Sequence, residues 1–294
     1  MRISTEIGSF AKRIGEEAAI RLTAEVGFDA FDFSMFRMIR FDWASGAITP
    51  GDHPLGGDGW RDFAKSLRRV ADDCGIVCNQ SHAPFPNRGE AIIPYLFRAI
   101  ECTAIAGGDL CVIHPDNNKS AEENAEIYAR LLPFAKECGV RIATENMWNW
   151  DNEQGIALPA ACSHHEDFLR HIEAVGDPYL VACLDVGHAE MAGLDTSAGQ
   201  MIKTLGSHLA ALHLHDNDLR HDSHQIPFSM EINWTSLIKY LVLADYRGDL
   251  TLEADRFLAD YPDERLREGL GEMQAVAARL REMFENFSAL RTKK

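Results

Sequence analysis

The chain is short of positive charge. Its 294 residues carry 29 Lys and Arg against 45 Asp and Glu, a formal net charge of −16. Gripping a phosphate backbone needs Lys and Arg to displace counterions, so a nucleic-acid partner is not expected. No stretch approaches the ~20 apolar residues that span a bilayer. The opening MRISTEIG reads as a strand rather than as the apolar core of a signal peptide. These readings give the expectation of a cytoplasmic protein with no membrane partner. No CxxC occurs among the seven cysteines, an odd number set in mostly apolar contexts, and they read as reduced core residues. No GxGxxG follows the first apolar strand, which removes support for a dinucleotide fold. No linker or low-complexity segment interrupts the chain. The 46% hydrophobic and 25% charged content is that of an ordinary globular protein, long enough to bury a sizeable core.

What is present alternates. Short apolar strands read near 3–7, 28–33, 76–81, 110–114, 140–145, 180–185, 209–215 and 250–253, with helical patterns between them. After Pro115, Ser120 and Glu123 form a capping-box pattern; Ile127, Leu131, Phe134, Ala135 and Cys138 follow at helical spacing, and Gly139 supplies a stop. CSHHEDFLRHI repeats this logic with Ser163 as cap and Glu166 three residues on. The last helix is expected to bury Leu266, Leu270, Met273, Val276, Leu280, Phe284 and Phe287. Eight strand–helix units in this length argue for a single-domain (β/α)8 TIM barrel over 1–294, with a doubly wound open sheet as the alternative. One long irregular stretch, 35–59, is a candidate lid over an active site.

Chemistry-bearing residues gather where a barrel would use them. Side chains alternate along a strand, so Val181, Cys183 and Asp185 share one face, as do Ala211, His213 and His215, then Ala143 and Glu145, then Thr251 and Glu253. The large aliphatics fall on the opposite face, where helices would cover them. His82 and His114 end the third and fourth strands, His188 follows Asp185 by three residues, and Asp222 and His224 lie beyond the seventh strand. Barrel active sites sit at this C-terminal end. Buried carboxylates are costly unless paired or bound to a cation. Glu145, Asp185, His215 and Glu253 bring three carboxylates and one imidazole, a set suited to a divalent metal ion: Mn, Mg, Co or Zn. Phe36, Trp43, Phe85, Trp148 and Trp150 are candidate apolar walls.

SHAPF, VIHP, ATEN, LDVGHAEMAG, LHLHDN with DSH, and TLEAD, in this order, resemble the xylose isomerase-like TIM-barrel superfamily. That group includes tagatose and psicose 3-epimerases, hydroxypyruvate isomerases, inosose dehydratases and endonuclease IV. The resemblance covers almost the whole chain. It implies a metal held by Glu145, Asp185, His215 and Glu253, with Glu145 and Glu253 exchanging a proton beside a carbonyl through an enediolate. His188 matches a substrate-contacting histidine. The family's substrate-binding arginine falls at His221, with Arg220 beside it. His82, His114, Asp222, His224 and Trp148 complete the expected substrate surroundings. The reading is a metal-dependent isomerase or epimerase of small sugars. The alternatives are a dehydratase of an inosose-like polyol ketone or, further off, a multi-zinc endonuclease. The latter's nine ligands match His82, His114, Glu145, Asp185, His188, His215, Asp222, His224 and Glu253, but the charge of −16 argues against DNA. Many relatives form dimers or tetramers, so a homo-oligomer is an expectation of the resemblance alone. Where relatives carry a Pro-Gly-x-Gly turn, this chain reads HQIPFSMEINW, with Phe228 and Met230 at the glycine positions. That departure implies a reshaped, more apolar or smaller pocket.

Overall fold

The computed structural model describes residues 1–291. Eight parallel strands form the inner wall: β1 Ile3–Glu6, β2 Ala30–Ser34, β3 Val77–His82, β4 Leu110–Val112, β5 Arg141–Glu145, β6 Leu180–Asp185, β7 Leu209–His213 and β8 Leu250–Leu252. Their neighbour order runs β7–β6–β5–β4–β3–β2–β1–β8. A parallel bridge from Leu214 to Leu252 joins the two edge strands, with Leu214 N on Thr251 O and Glu253 N on Leu214 O. The sheet thus closes as a (β/α)8 barrel, as the alternation of the sequence implied.

Strand alternation divides the core as expected. Leu180, Ala182, Leu184, Leu212, Leu214 and Leu252 face outward into the layer shared with the helices. Val181, Cys183, Ala143 and Ala211 face inward and pack with Leu110 and Val112. A polar ladder crosses the barrel near this layer: Ser4 Oγ donates to Asn79 at 2.7 Å, and Asn79 Nδ2 donates to Thr251 Oγ1 at 3.1 Å. Ser4, Asn79 and Thr251 therefore each have a partner on another strand, which avoids the desolvation penalty of an orphan.

Helix limits follow local chemistry. Ser120 and Glu123 form the capping box of helix Ala121–Cys138, and Gly139 ends it at φ 69°, a left-handed conformation cheap only for glycine. The second capping expectation is corrected. Ser163 Oγ faces back and accepts from Ala160 N, so the cap passes to His164 and the helix spans His165–Val175. In the last helix, Leu266–Arg291, Ala277 rather than Val276 completes the buried row with Leu270, Met273 and Leu280. Steps of four and three residues from 266 reach 277; Val276 lies about 100° away around the helix and is half-buried.

The segment 35–59 is a folded hairpin, Ile39–Phe41 paired antiparallel with Ile48–Pro50, between two short 3-10 turns. Met35, Met38, Ile39 and Leu55 are buried beneath it. His53 Nε2 lies 2.9 Å from Glu16, and Arg98 donates to Leu55 O at 2.7 Å. A second hairpin pairs Asn149–Asp151 with Ile156–Leu158 after β5. Among the described residues, no helix is long and apolar enough to cross a membrane.

Candidate metal centre and substrate pocket

Strand ends carry the site. Glu145 closes β5, Asp185 closes β6, His213 closes β7 and Glu253 follows β8; one ligand atom from each lies within 4.8 Å of the others. His213 Nδ1 stands 3.1 Å from Glu145 Oε2 and 3.2 Å from Glu253 Oε2. This is a change from the expected set, which had His215 in that place. His215 instead presents Nε2 to both oxygens of Asp185, at 3.0 and 3.1 Å, and joins His188, Asp222 and His224 in a neighbouring group. Both histidines occupy the same face of their strand segment, so alternation allowed either. The barrel's layering seats His213 level with the two glutamates.

A third donor group holds His82, His114 and Glu145. His114 Nε2 approaches Glu145 Oε2 at 3.3 Å, and His82 Nε2 lies 3.8 Å from Glu253 Oε1. His188 donates through Nδ1 to Asn146 O at 2.9 Å, and His224 through Nδ1 to Glu253 O at 2.8 Å. These backbone contacts fix the ring orientations and leave each Nε2 facing Asp222, at 3.6 and 3.1 Å. The His215 and His224 rings stack at 4.1 Å and 4°. Trp148 packs edge-on to His188, with centroids 6.2 Å apart. His221 is not brought into the cluster: it is exposed, bonded to Asp218 at 2.7 Å, while Arg220 is tied to the Gln154 and Gly155 carbonyls of the second hairpin.

Three residues at the centre carried weaker sequence signals. Asp32, a lone acid in the apolar β2, is fully buried between His82 Nδ1 at 3.1 Å and His213 Nε2 at 3.7 Å. Gln80 bonds both Asp32 and His213, each at 2.9 Å. Asp216, inside LHLHDN, is an anchor: it accepts from Met230 N, Ile232 N and Trp234 Nε1 and so shapes the loop after β7. In that loop Phe228 holds φ 71°, the left-handed conformation that glycine would favour, under the Arg279 guanidinium at 3.9 Å. Phe228 thus adopts a backbone conformation that favours glycine, whereas Met230 does not.

Charge is unevenly settled here. Burial pushes the Glu145 carboxyl up, but His213 and His114 hold it well below the usual carboxylate range. Burial also opposes a charged His82, yet Asp32 raises its pKa to about 9. His224, likewise desolvated, is lifted to about 10 by Asp222. At the end of β1, burial and the charges of Glu253, Asp32 and Asp255 raise Glu6 to about 7. Several atoms nonetheless lack a hydrogen-bond partner although buried: His82 Nε2, Glu145 Oε2, His213 Nδ1 and Asp222 Oδ1. Buried orphans are rare and cost about 1–3 kcal/mol each. Imidazole nitrogens and carboxylate oxygens facing one another without hydrogen-bond geometry fit a divalent cation, which would satisfy them together.

Beside Glu253 opens a cavity of about 240 Å³, walled by Phe36 and lined by Glu6, Ser9, Lys12 and Ser34. Phe36 leans over the histidines, 5.5 Å from the His82 ring and 6.2 Å from His114. The barrel mouth thus has a polar floor and an apolar wall, as small-molecule sites do.

The chain resembles known proteins in the same terms. A curated relative, the uncharacterized protein MJ1311 of Methanocaldococcus jannaschii, is 24% identical over 190 residues, 58% of this chain; the match spans only 62% of that relative's length. A crystal structure of a D-tagatose 3-epimerase-like protein superposes with a TM-score of 0.73 at 18% identity, covering 97% of this chain and 99% of that one. An L-ribulose 3-epimerase superposes at 0.71 and 15% identity, covering 98% and 97%. Identities this low speak for the fold. The model of one family, the xylose isomerase-like TIM barrel, matches residues 20–276, and the chain belongs to that family.

Proposed function

We propose that the protein is a divalent-metal-dependent isomerase or epimerase of small sugars, working by proton transfer beside a carbonyl. One observation carries the reading: Glu145 and Glu253, from strands three apart around the barrel, converge on His213 within 3.2 Å, next to a cavity that opens on Glu253. The sugar epimerases among the structural neighbours support it.

Glu145, Asp185, His213 and Glu253 would hold the ion. A divalent ion there supplies Lewis-acid polarisation of a carbonyl and its neighbouring hydroxyl. Glu145, kept ionised by His213 and His114, is suited to take the proton from the carbon between them. Glu253 reaches the same volume from another strand and returns a proton, to the opposite face in an epimerase. His188, its Nδ1 proton committed to Asn146 O and its charged form favoured, against burial, by Asp185 and Asp222, offers Nε2–H as donor to a substrate oxygen. Phe36 and Trp148 limit the water that reaches the carbanion-like intermediate.

The test is solvent-deuterium incorporation into ketoses by the metal-loaded protein. Exchange without loss of water is expected for wild type, falling by at least about 100-fold in Glu145→Gln and Glu253→Gln. Undiminished exchange in both variants would sink the reading. Exchange accompanied by water release would replace it with the dehydratase.

A second reading has its own observation. Two of the three donor groups share Glu145, and the third adjoins them through the His215–Asp185 contact, an arrangement that suits several ions and phosphodiester hydrolysis. The charge of −16 weighs against a nucleic-acid substrate. Three zinc ions per chain, with cleavage of an abasic-site duplex, would favour this reading; one ion per chain would favour the isomerase.

A further inference from the structure

We infer that the substrate has two parts, and that a second sugar ring attached to the reacting ketose stacks on Trp43 in a cleft separate from the metal centre. This rests on the reading of the reacting site as one for sugars and extends it to substrate class.

The cleft has a volume of about 150 Å³ and lies between the tip of the 39–50 hairpin and the loops after β3 and β4, lined by Trp43, Phe85, Asn87, Arg88, Asp116 and Asn149. Trp43 is 70% exposed, a state that wastes the burial available to an indole. Its ring is nonetheless set by an edge contact with Phe41 at 4.9 Å, so one surface is presented rather than left to wander. The opposite wall is polar. Asn87 is only 2% exposed; its Nδ2 donates to His114 O at 3.0 Å, while its Oδ1 meets no donor. A buried amide oxygen without a partner, in a residue lining a cleft, is an acceptor a ligand hydroxyl can satisfy.

The combination selects a pyranose ring. The axial C–H bonds of a hexopyranose form an apolar, slightly positive patch that suits the negative face of an indole. The hydroxyls around the ring edge suit the amides of Asn87 and Asn149, the Asp116 carboxylate and the Arg88 guanidinium. A purely aromatic group would leave that wall unpaired. The cleft adjoins the reacting site through packed side chains. The Phe85 ring lies 5.1 Å from His114, which in turn lies 3.3 Å from Glu145.

The experiment compares D-fructose with three glycosyl-fructoses of differing linkage, maltulose, lactulose and isomaltulose, by deuterium incorporation with the metal-loaded protein. At least one disaccharide is expected to exchange with kcat/KM about 10-fold above D-fructose. Trp43→Ala should erase that advantage and leave D-fructose within about twofold of wild type, with Trp43→Phe keeping part of it. Disaccharides no better than D-fructose, or an equal loss on both in Trp43→Ala, overturn the proposal. Where no ketose exchanges at all, the reaction reading fails, and saturation-transfer NMR with cellobiose, which lacks the keto group, decides the subsite alone. In that case contact in wild type that is lost in Trp43→Ala upholds it, and no contact in wild type, or contact that survives the substitution, overturns it.

Discussion

His213 Nδ1 lies 3.1 Å from Glu145 Oε2, yet neither atom has a hydrogen-bond partner. Two groups this close, both buried and both unsatisfied, are arranged for a third body between them. His213→Ala should therefore weaken Mn²⁺ binding by at least about 10–100-fold, and His215→Ala by much less. Calorimetric titration of the metal-free protein measures both. An equal loss in the two variants would return His215 to the ligand set and remove the reason for preferring His213.

Asp32 extends the argument one layer outward. It is fully buried, and its two oxygens reach His82 and, through Gln80 as well as directly, His213. A carboxylate behind a ligating imidazole orients the ring and raises its basicity. Asp32→Asn keeps the shape and removes the charge, so folding should survive while metal affinity falls by about 10–100-fold. Unchanged affinity would mean that the ring orientation of His213 is set by packing and Gln80 alone.

Much of this was legible in the sequence, for physical reasons. Period-two alternation fixed which side of each strand met the helices, and it put Glu145, Asp185 and Glu253 together at the barrel mouth. Period alone could not choose between His213 and His215, because both have the same parity; layer height, a property of barrel shear, makes the choice. Asp32 was hidden because one acid inside FDFS looks like a solvated position until β2 is seen to be enclosed on both sides. His221 misled for the opposite reason. Its spacing from His215 matched, but Asp218 and the second hairpin draw that loop outward. The glycine positions at Phe228 and Met230 gave a mixed signal: Phe228 takes the left-handed φ of 71° that glycine favours, and Met230 does not.

Protonation gives a prediction whose sign is fixed by raised imidazole pKa values. His82 rises to about 9 and His224 to about 10 in the metal-free chain, against burial, because Asp32 and Asp222 favour their charged forms. A raised folded-state pKa means stability that is full below the unfolded value near 6.5 and is lost as pH climbs through 9 to 10. The metal-free protein should accordingly become less stable across pH 7–10. Metal binding should show the reverse trend, tightening with pH, since ligating imidazoles must give up their protons. Thermal unfolding across this range, and calorimetry in two buffers of different ionisation enthalpy, measure the two effects. Metal binding without proton release at pH 7.5 would show that His213, the imidazole of the ligand set, is already neutral.

Gly187 supplies the last prediction. It follows Asp185 in LDVGHAE, and its carbonyl accepts from Asn217 Nδ2 at 2.8 Å. A Cβ built on it would sit 1.9 Å from His215 Cε1, far inside van der Waals contact. His215 cannot retreat freely, because its other face stacks on His224 at 4.1 Å. Gly187→Ala must then displace either the imidazole or the helical turn Val186–Ala189 that Asp185 caps. Overpacking of this kind costs about 1–3 kcal/mol, and here it falls on the element that sets Asp185 and His188. The expected outcome is a folded protein with lowered melting temperature and weaker metal binding, while a control alanine at the half-buried helical Gly271, whose Cβ meets nothing within 4 Å, leaves metal binding unchanged and does not lower the melting temperature. Wild-type affinity in Gly187→Ala would show that His215 can move without disturbing Asp185, and would separate the two donor groups that the structure places in contact.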